Sequence, residues 1–314
     1  MSAPADGEPT GYVWTRDRFS VRAGEWLAFA AAWSFRTLTW AVPIWRLSAA
    51  LAPLGGWIAL WLPAAKGRIE ENLIHVWPDL TPKARRTIRT EAGRQFLRLC
   101  IEYAHLDRWA KSVRIETQGA EHIEAVREST KGAILVTAHY GNWEAIRLAA
   151  RAHGVECGIV YRAFNNRYLD RFTQNLIPCA GTPVMTKGRV GMRSMLKHVR
   201  QGGSVLILVD QRNSGAPFLP FLGRPAETVT VAASLARTTG AALIPAIARR
   251  NAVSERFEVA FASAIETQDD TQAMTAVNAR LSAWIEAEPG QWFWFHRRWR
   301  STTRSREQPL DQRS

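Results

Sequence analysis

The sequence predicts an α/β protein: a mainly parallel sheet flanked by helices, with an N-terminal apolar, membrane-attached helical segment. Three observations predict it. From Lys131 onward, apolar runs that read as buried strands alternate with helical patterns, the signature of a parallel sheet covered on its faces. From Trp26 to Ala65 only Arg36 and Arg46 are charged, and six tryptophans punctuate that stretch. The chain has 314 residues, 46% of them hydrophobic, enough to bury a sizeable core.

Taken in order, the stretch MSAPADGEPTG is a loose polar tail without the basic start and short apolar core of a secretory signal. The run LSAALAPLGGWIALWLPAA follows Arg46 and approaches the ~20 apolar residues of a membrane span. Pro53, Gly55 and Gly56 interrupt it, so a straight helix is not expected. Trp26, Trp33, Trp40, Trp45, Trp57 and Trp61 suit a membrane interface, with the segment spanning or lying in one leaflet. A buried pair of core helices is the competing reading. Thr81-Pro82 reads as a helix start, with threonine capping and proline in the first turn. Beyond it Ile88, Ala92, Phe96, Leu99 and Tyr103 recur at helical spacing, and Arg85, Arg86, Arg89 and Arg94 lie elsewhere around the helix.

The strands expected next are GAILVTA, CGIVYR, SVLILVD and ALIPAIA. Helices are expected over Asn142–His153, Arg167–Ile177, Arg189–Arg200, Val229–Thr239 and about Thr271–Glu288. The division is then 1–66 for tail and membrane attachment, 67–300 for the main domain, and 301–314 for a basic mobile tail.

A net charge of +13 with 14 tryptophans fits nucleic acid, acidic proteins or an anionic membrane as partner. Nucleic acid is disfavoured, because the tryptophans gather in the apolar segment and the C-terminal block rather than interleaving with basic residues on one face. Cys100, Cys157 and Cys179 share no ligand spacing and read as reduced thiols.

The chemistry gathers where a strand meets a helix, in AILVTAHYGNWEAIRLAARAHG. In open α/β sheets, sites lie beyond the carboxyl ends of the strands, and His139 occupies such an end. Tyr140-Gly141-Asn142 makes the turn, and Glu144 falls in the first helical turn, close enough to orient the imidazole or stabilise its protonated form. The chain has no Gly-x-Ser-x-Gly elbow, His-Glu-x-x-His helix or Walker-type phosphate loop. A base without an enzyme nucleophile points to a substrate that brings its own, most simply a hydroxyl.

AHYGNWE resembles the His-x4-Asp/Glu block of glycerolipid-type acyltransferases, in the variant found in bacterial lipid A biosynthesis (lauroyl/myristoyl) acyltransferases. Blocks similar to that family follow in order: RIEENLIHVWPDLT, VYRAFNNRYLD, LVDQRNSGAPFLPFLGRPAETVT and PGQWFWFHRRWR. The resemblance runs from about Arg68 to Arg300. It implies an O-acyltransferase at the cytoplasmic face of the bacterial inner membrane, needing no metal or bound cofactor. Its donor would be an acyl carrier protein thioester and its acceptor a hydroxyl of a lipid A precursor, a late acylation. By the same resemblance His139 is the general base and Glu144 its carboxylate partner. Arg162 lines the site toward a phosphate or a developing oxyanion. Asp210 matches the family's acidic position, with a substrate contact and a loop-holding role both open; Gln211 and Arg212 follow within reach of substrate. The implied partners are the acidic carrier protein, a glycolipid and the anionic inner membrane, without nucleic acid. Two alternatives stand beside this: the same chemistry on another glycolipid or phospholipid, and a non-catalytic basic protein that binds membrane or nucleic acid.

Overall fold

The computed structural model describes residues 19–251, 256–266 and 269–299. The expected polar tail MSAPADGEPTG and the expected basic tail at 301–314 fall outside the described residues. Five helices come first: α1 (Phe19–Leu38), α2 (Ile44–Trp61), α3 (Pro63–Val76), α4 (Pro82–Ala104) and α5 (Leu106–Ser112). The α/β part then runs β1 (Arg114–Gln118), α6 (Ala120–Glu128), β2 (Ala133–Thr137), α7 (Glu144–Ala152), β3 (Cys157–Tyr161), α8 (Arg167–Leu176), β4 (Val184–Thr186), α9 (Arg189–Arg200) and β5 (Ser204–Leu208). A two-stranded hairpin, β6 (Phe218–Phe221) with β7 (Arg224–Glu227), precedes α10 (Val231–Thr239), β8 (Ala242–Asn251), β9 (Arg256–Phe261) and α11 (Asp270–Ala287).

Seven strands form one sheet in the order β1-β9-β8-β2-β5-β3-β4. Five of them, β8 to β4 in that order, run parallel, β9 pairs antiparallel with β8, and β1 runs parallel to β9. Alternation divides the core between the two faces. Ile134, Val136, Val205 and Ile207 enter one buried cluster with Leu73 of α3, Met195 of α9 and Leu281 of α11. Ala133, Leu135 and Leu206 enter the other with Leu106 of α5, Ile123 of α6 and Ile146 of α7. Because both faces are covered, the central strands are apolar throughout.

The four expected strands are all present. The sequence reading missed β1, β4 and β9: RIETQ is polar, VMT is three residues long, and RFEVAF only half faces the core. The helix at Thr81-Pro82 starts as expected, with the threonine hydroxyl accepting from the Ala84 N–H at 3.2 Å.

The apolar segment behaves differently from expectation. Its helix α2 continues through Pro53, Gly55 and Gly56. The glycines serve contact with α4: a Cβ on Gly55 would lie 2.2 Å from the Gly93 carbonyl oxygen, so only glycine permits this backbone approach. The bend comes later, where α2 and α3 meet at 78°. No single helix among the described residues is long and apolar enough to cross a membrane; α2 and α3 pass only as that bent pair. Among the described residues, eleven of the seventeen exposed large hydrophobics fall between Trp26 and Leu62, which marks this segment as the apolar surface of the fold.

Candidate active site

Parallel order brings three strand ends together. His139 lies two residues beyond β2, Asp210 two residues beyond the adjacent β5, and Arg162 directly follows β3 on the far side of β5. The sheet therefore places three sequence-predicted residues along one rim. It does not bring them into one hydrogen-bonded group.

His139 and Asp210 are the joined pair. The His139 ring Nδ1 lies 2.6 Å from Asp210 Oδ1, and the His139 backbone N–H donates to Asp210 Oδ2 at 2.8 Å. The Trp292 indole N–H donates to the same Oδ2, also at 2.8 Å. Asp210 is fully buried, which by itself pushes its pKa up. The charge and hydrogen bonds of His139, with help from His296, outweigh that and hold the carboxyl well below its usual range. An ionised carboxylate only accepts, so Nδ1 carries the proton and Nε2 presents a lone pair. The Gln211 amide faces that lone pair at 3.3 Å.

Glu144 is placed elsewhere. It is fully buried, accepts from the Tyr103 hydroxyl at 2.6 Å, and pairs with the Arg147 guanidinium. Arg147 also donates to the Cys157 and Gly181 carbonyls, so the Glu144–Arg147 pair ties α7 to the strands beside it. The spacing from His139 to Glu144 suggested a direct contact. The turn instead directs the carboxylate into the helix's own neighbourhood, and Asp210 from the next strand takes the imidazole. The Tyr103 ring also packs on Trp143 at 5.7 Å, and burial followed by the Glu144 charge pushes the Tyr103 hydroxyl well up in pKa.

The turn has its own supports. Gly141 has φ of 54°, and a Cβ there would stand 2.1 Å from the Ala248 carbonyl oxygen. Asn142 Oδ1 accepts from the Glu144 N–H at 3.1 Å, and its amide donates to Glu102 at 2.9 Å. Glu102 is held in turn by two nitrogens of Arg250, at 2.5 and 2.8 Å.

The sequence reading assigned no role to individual residues of PGQWFWFHRRWR, and here the structure adds most. Gly141 N–H donates to the Gln291 carbonyl at 3.1 Å, and Phe293 N–H to the His139 carbonyl at 2.9 Å, so this segment pairs with the turn that carries His139. Asn72 fixes it from α3 by donating to the Trp294 and His296 carbonyls, each at 2.8 Å. His296 stands edge-on to His139 with ring centroids 4.6 Å apart, and Trp143 does so at 5.0 Å. Burial, then the neighbouring His139, lowers the His296 pKa to about 4, so it stays neutral beside His139 near neutral pH. Arg298 donates to the Glu227 carbonyl and the Thr228 hydroxyl, joining the C-terminal block to the β6–β7 hairpin. The one available signal was the aromatic and basic density of the block itself. Arg162 is exposed, and Arg212 pairs with Glu227.

The arrangement is an imidazole oriented at the sheet rim: one carboxylate fixes the tautomer, and the opposite nitrogen meets the Gln211 amide. It suits removal of a proton from a substrate hydroxyl. Comparison with known proteins points to one family. The model of the bacterial lipid A biosynthesis acyltransferases matches residues 15–301. The chain is 24% identical over 248 residues to a lipid A biosynthesis acyltransferase of Haemophilus influenzae, covering 77% of each protein. It is 27% identical over 293 residues to the lipid A biosynthesis lauroyltransferase of Escherichia coli, covering 88% of this chain and 91% of that one. A crystal structure of the 1-acyl-sn-glycerophosphate acyltransferase PlsC from Thermotoga maritima is similar at 8% identity and a TM-score of 0.38. That match covers 79% of this chain and 99% of PlsC.

Proposed function

The chain belongs to the bacterial lipid A biosynthesis acyltransferase family, and on that premise we propose that it moves a fatty acyl chain from an acyl carrier protein thioester to a hydroxyl of a lipid A precursor. The observation that carries the mechanism is the His139–Asp210 pair, which leaves Nε2 as the base. Nε2 takes the acceptor hydroxyl proton while the oxygen attacks the thioester carbonyl carbon. The tetrahedral oxyanion collapses, the carbon–sulfur bond breaks, and the departing thiolate takes the proton from the His139 imidazolium. Asp210 stabilises that imidazolium without accepting its proton. Arg162, at the neighbouring strand end, holds a phosphate of the acceptor or the developing oxyanion. Gln211 keeps the imidazole plane aligned, and Glu144 contributes by fixing the turn rather than by touching the base.

The excess of arginine and lysine favours encounter with an acidic carrier protein. The exposed tryptophans of α1 and α2 support attachment at the cytoplasmic face of the inner membrane, lying in the interface rather than crossing it. The experiment is mass spectrometry of lipid A from cells with and without this protein. The expected result is loss of one secondary acyl chain in its absence. Unchanged lipid A with altered phospholipid acylation would move the acceptor to the phospholipid class.

A further inference from the structure

Between α2, α4, α5 and the β1–β9 edge lies a cavity of about 330 Å³, at the lower end of the ~300–1,000 Å³ typical of ligand pockets. Its lining is unbalanced in charge. Arg98, Arg114 and Arg250 face it with Glu102 as the one carboxylate. Glu102 is already committed, since both of its oxygens accept from Arg250 and one also accepts from Asn142. Arg250 in turn completes its donations on Gln95, at 2.8 Å.

Arg98 is left over. Its Nε is buried without a hydrogen-bond partner. Burial, and then the charge of Arg250, lower its pKa, with Arg94 acting the same way and Glu102 and Glu91 opposing. A half-buried guanidinium with an unpartnered Nε beside a second arginine is relieved by an anion. A guanidinium fork suits a phosphate best. The rim identifies what carries the phosphate. Trp45 and Ala49 of α2 line the cavity, and the same helix exposes Leu54 and Trp57. A phosphate entering beside them would have its apolar chains lying along that surface.

We propose that this cavity binds the phosphate headgroup of a membrane lipid, with Arg98 as its principal contact. The site is separate from the His139 rim and is assigned on its own residues.

The test titrates the purified full-length protein with dihexanoyl phosphatidylglycerol below its micelle concentration, with glycerol phosphate, and with inorganic phosphate. Wild type is expected to bind the short-chain lipid at least ten-fold more tightly than either soluble phosphate. Arg98→Gln should weaken lipid binding ten-fold or more while unfolding no earlier than wild type when phosphate is absent. Ala49→Phe, which fills the cavity from α2 and leaves every arginine in place, should weaken it equally. Lipid affinity within two-fold of wild type in both variants overturns the site. Equal affinity for lipid and inorganic phosphate overturns the lipid assignment.

Discussion

Replacing Asp210 by asparagine keeps the side chain's shape and removes one acceptor. Three donors converge on that carboxylate: the His139 backbone N–H and the Trp292 indole on Oδ2, each at 2.8 Å, and the His139 ring on Oδ1 at 2.6 Å. An amide offers one oxygen to these three. The backbone and the indole cannot change role, so they claim the oxygen and the amide NH2 faces Nδ1. The imidazole must then present its lone pair at Nδ1 and carry its proton on Nε2. A base in that tautomer cannot take the acceptor proton. The corresponding change in a Ser-His-Asp triad costs about 10⁴ in kcat, or about 5.4 kcal/mol at ~1.36 kcal/mol per decade. We therefore expect kcat for Asp210→Asn to fall by roughly 10³–10⁴ with KM little changed, since the carboxylate is buried behind the base. Steady-state transfer with acyl carrier protein thioester and a hydroxyacylated glycolipid reads both constants. A folded Asp210→Asn enzyme with kcat within ten-fold of wild type would refute the reasoning.

Glu144→Gln should act in the opposite sense. It strands the buried Arg147 cation and costs about 3–5 kcal/mol of stability, while the folded enzyme keeps kcat within about ten-fold by this account. A melt paired with kinetics checks it, and a loss of kcat as deep as that of Asp210→Asn would restore Glu144 as the imidazole's partner. Stability should also depend on pH through His296, held near pKa 4 in the fold, first by burial, against an ordinary histidine value of 6.5. The unfolded chain binds this proton more readily, so the neutral histidine's contribution is full above about pH 6.5 and declines toward pH 4. The slope is about 1.4 kcal/mol per pH unit for the one group. Urea midpoints from pH 7 to 4.5 should show it, and His296→Asn should flatten it; an unchanged slope in that variant removes His296 as the source. Replacing Trp26, Trp33, Trp57 and Trp61 by serine should weaken binding to anionic vesicles at least ten-fold without a change in melting temperature, because all four are exposed. Undiminished vesicle binding would place the membrane contact elsewhere.

The parts of the fold that were legible in the sequence are those in which local pattern and burial agree. AILVT and SVLIL are apolar on both faces because helices cover both faces, so their type and place followed from composition alone. RIETQ is a strand because β9 offers it an edge, a fact of tertiary pairing that its polar sequence does not carry. Gly55 looked like an interruption since its partner, Gly93, lies almost forty residues away in the chain. The site divides in the same way. His139 was legible from its place after a strand. Its true partner was not, because Glu144 is five residues away in sequence and Asp210 reaches it only through the β2–β5 pairing. Trp292 and His296 were illegible for the same reason: an aromatic block at the end of a chain does not announce which turn it will cover.

In the proposed mechanism His139 Nε2 removes the acceptor's proton during acyl transfer. Its most direct measurement is the mass of a hydroxyacylated lipid A precursor incubated with acyl carrier protein thioester and either wild-type protein or His139→Ala. We expect a gain of one acyl chain with wild type and none with the variant, whose melting temperature and vesicle binding stay close to wild type. Acyl transfer by His139→Ala within a few-fold of the wild-type rate would contradict it.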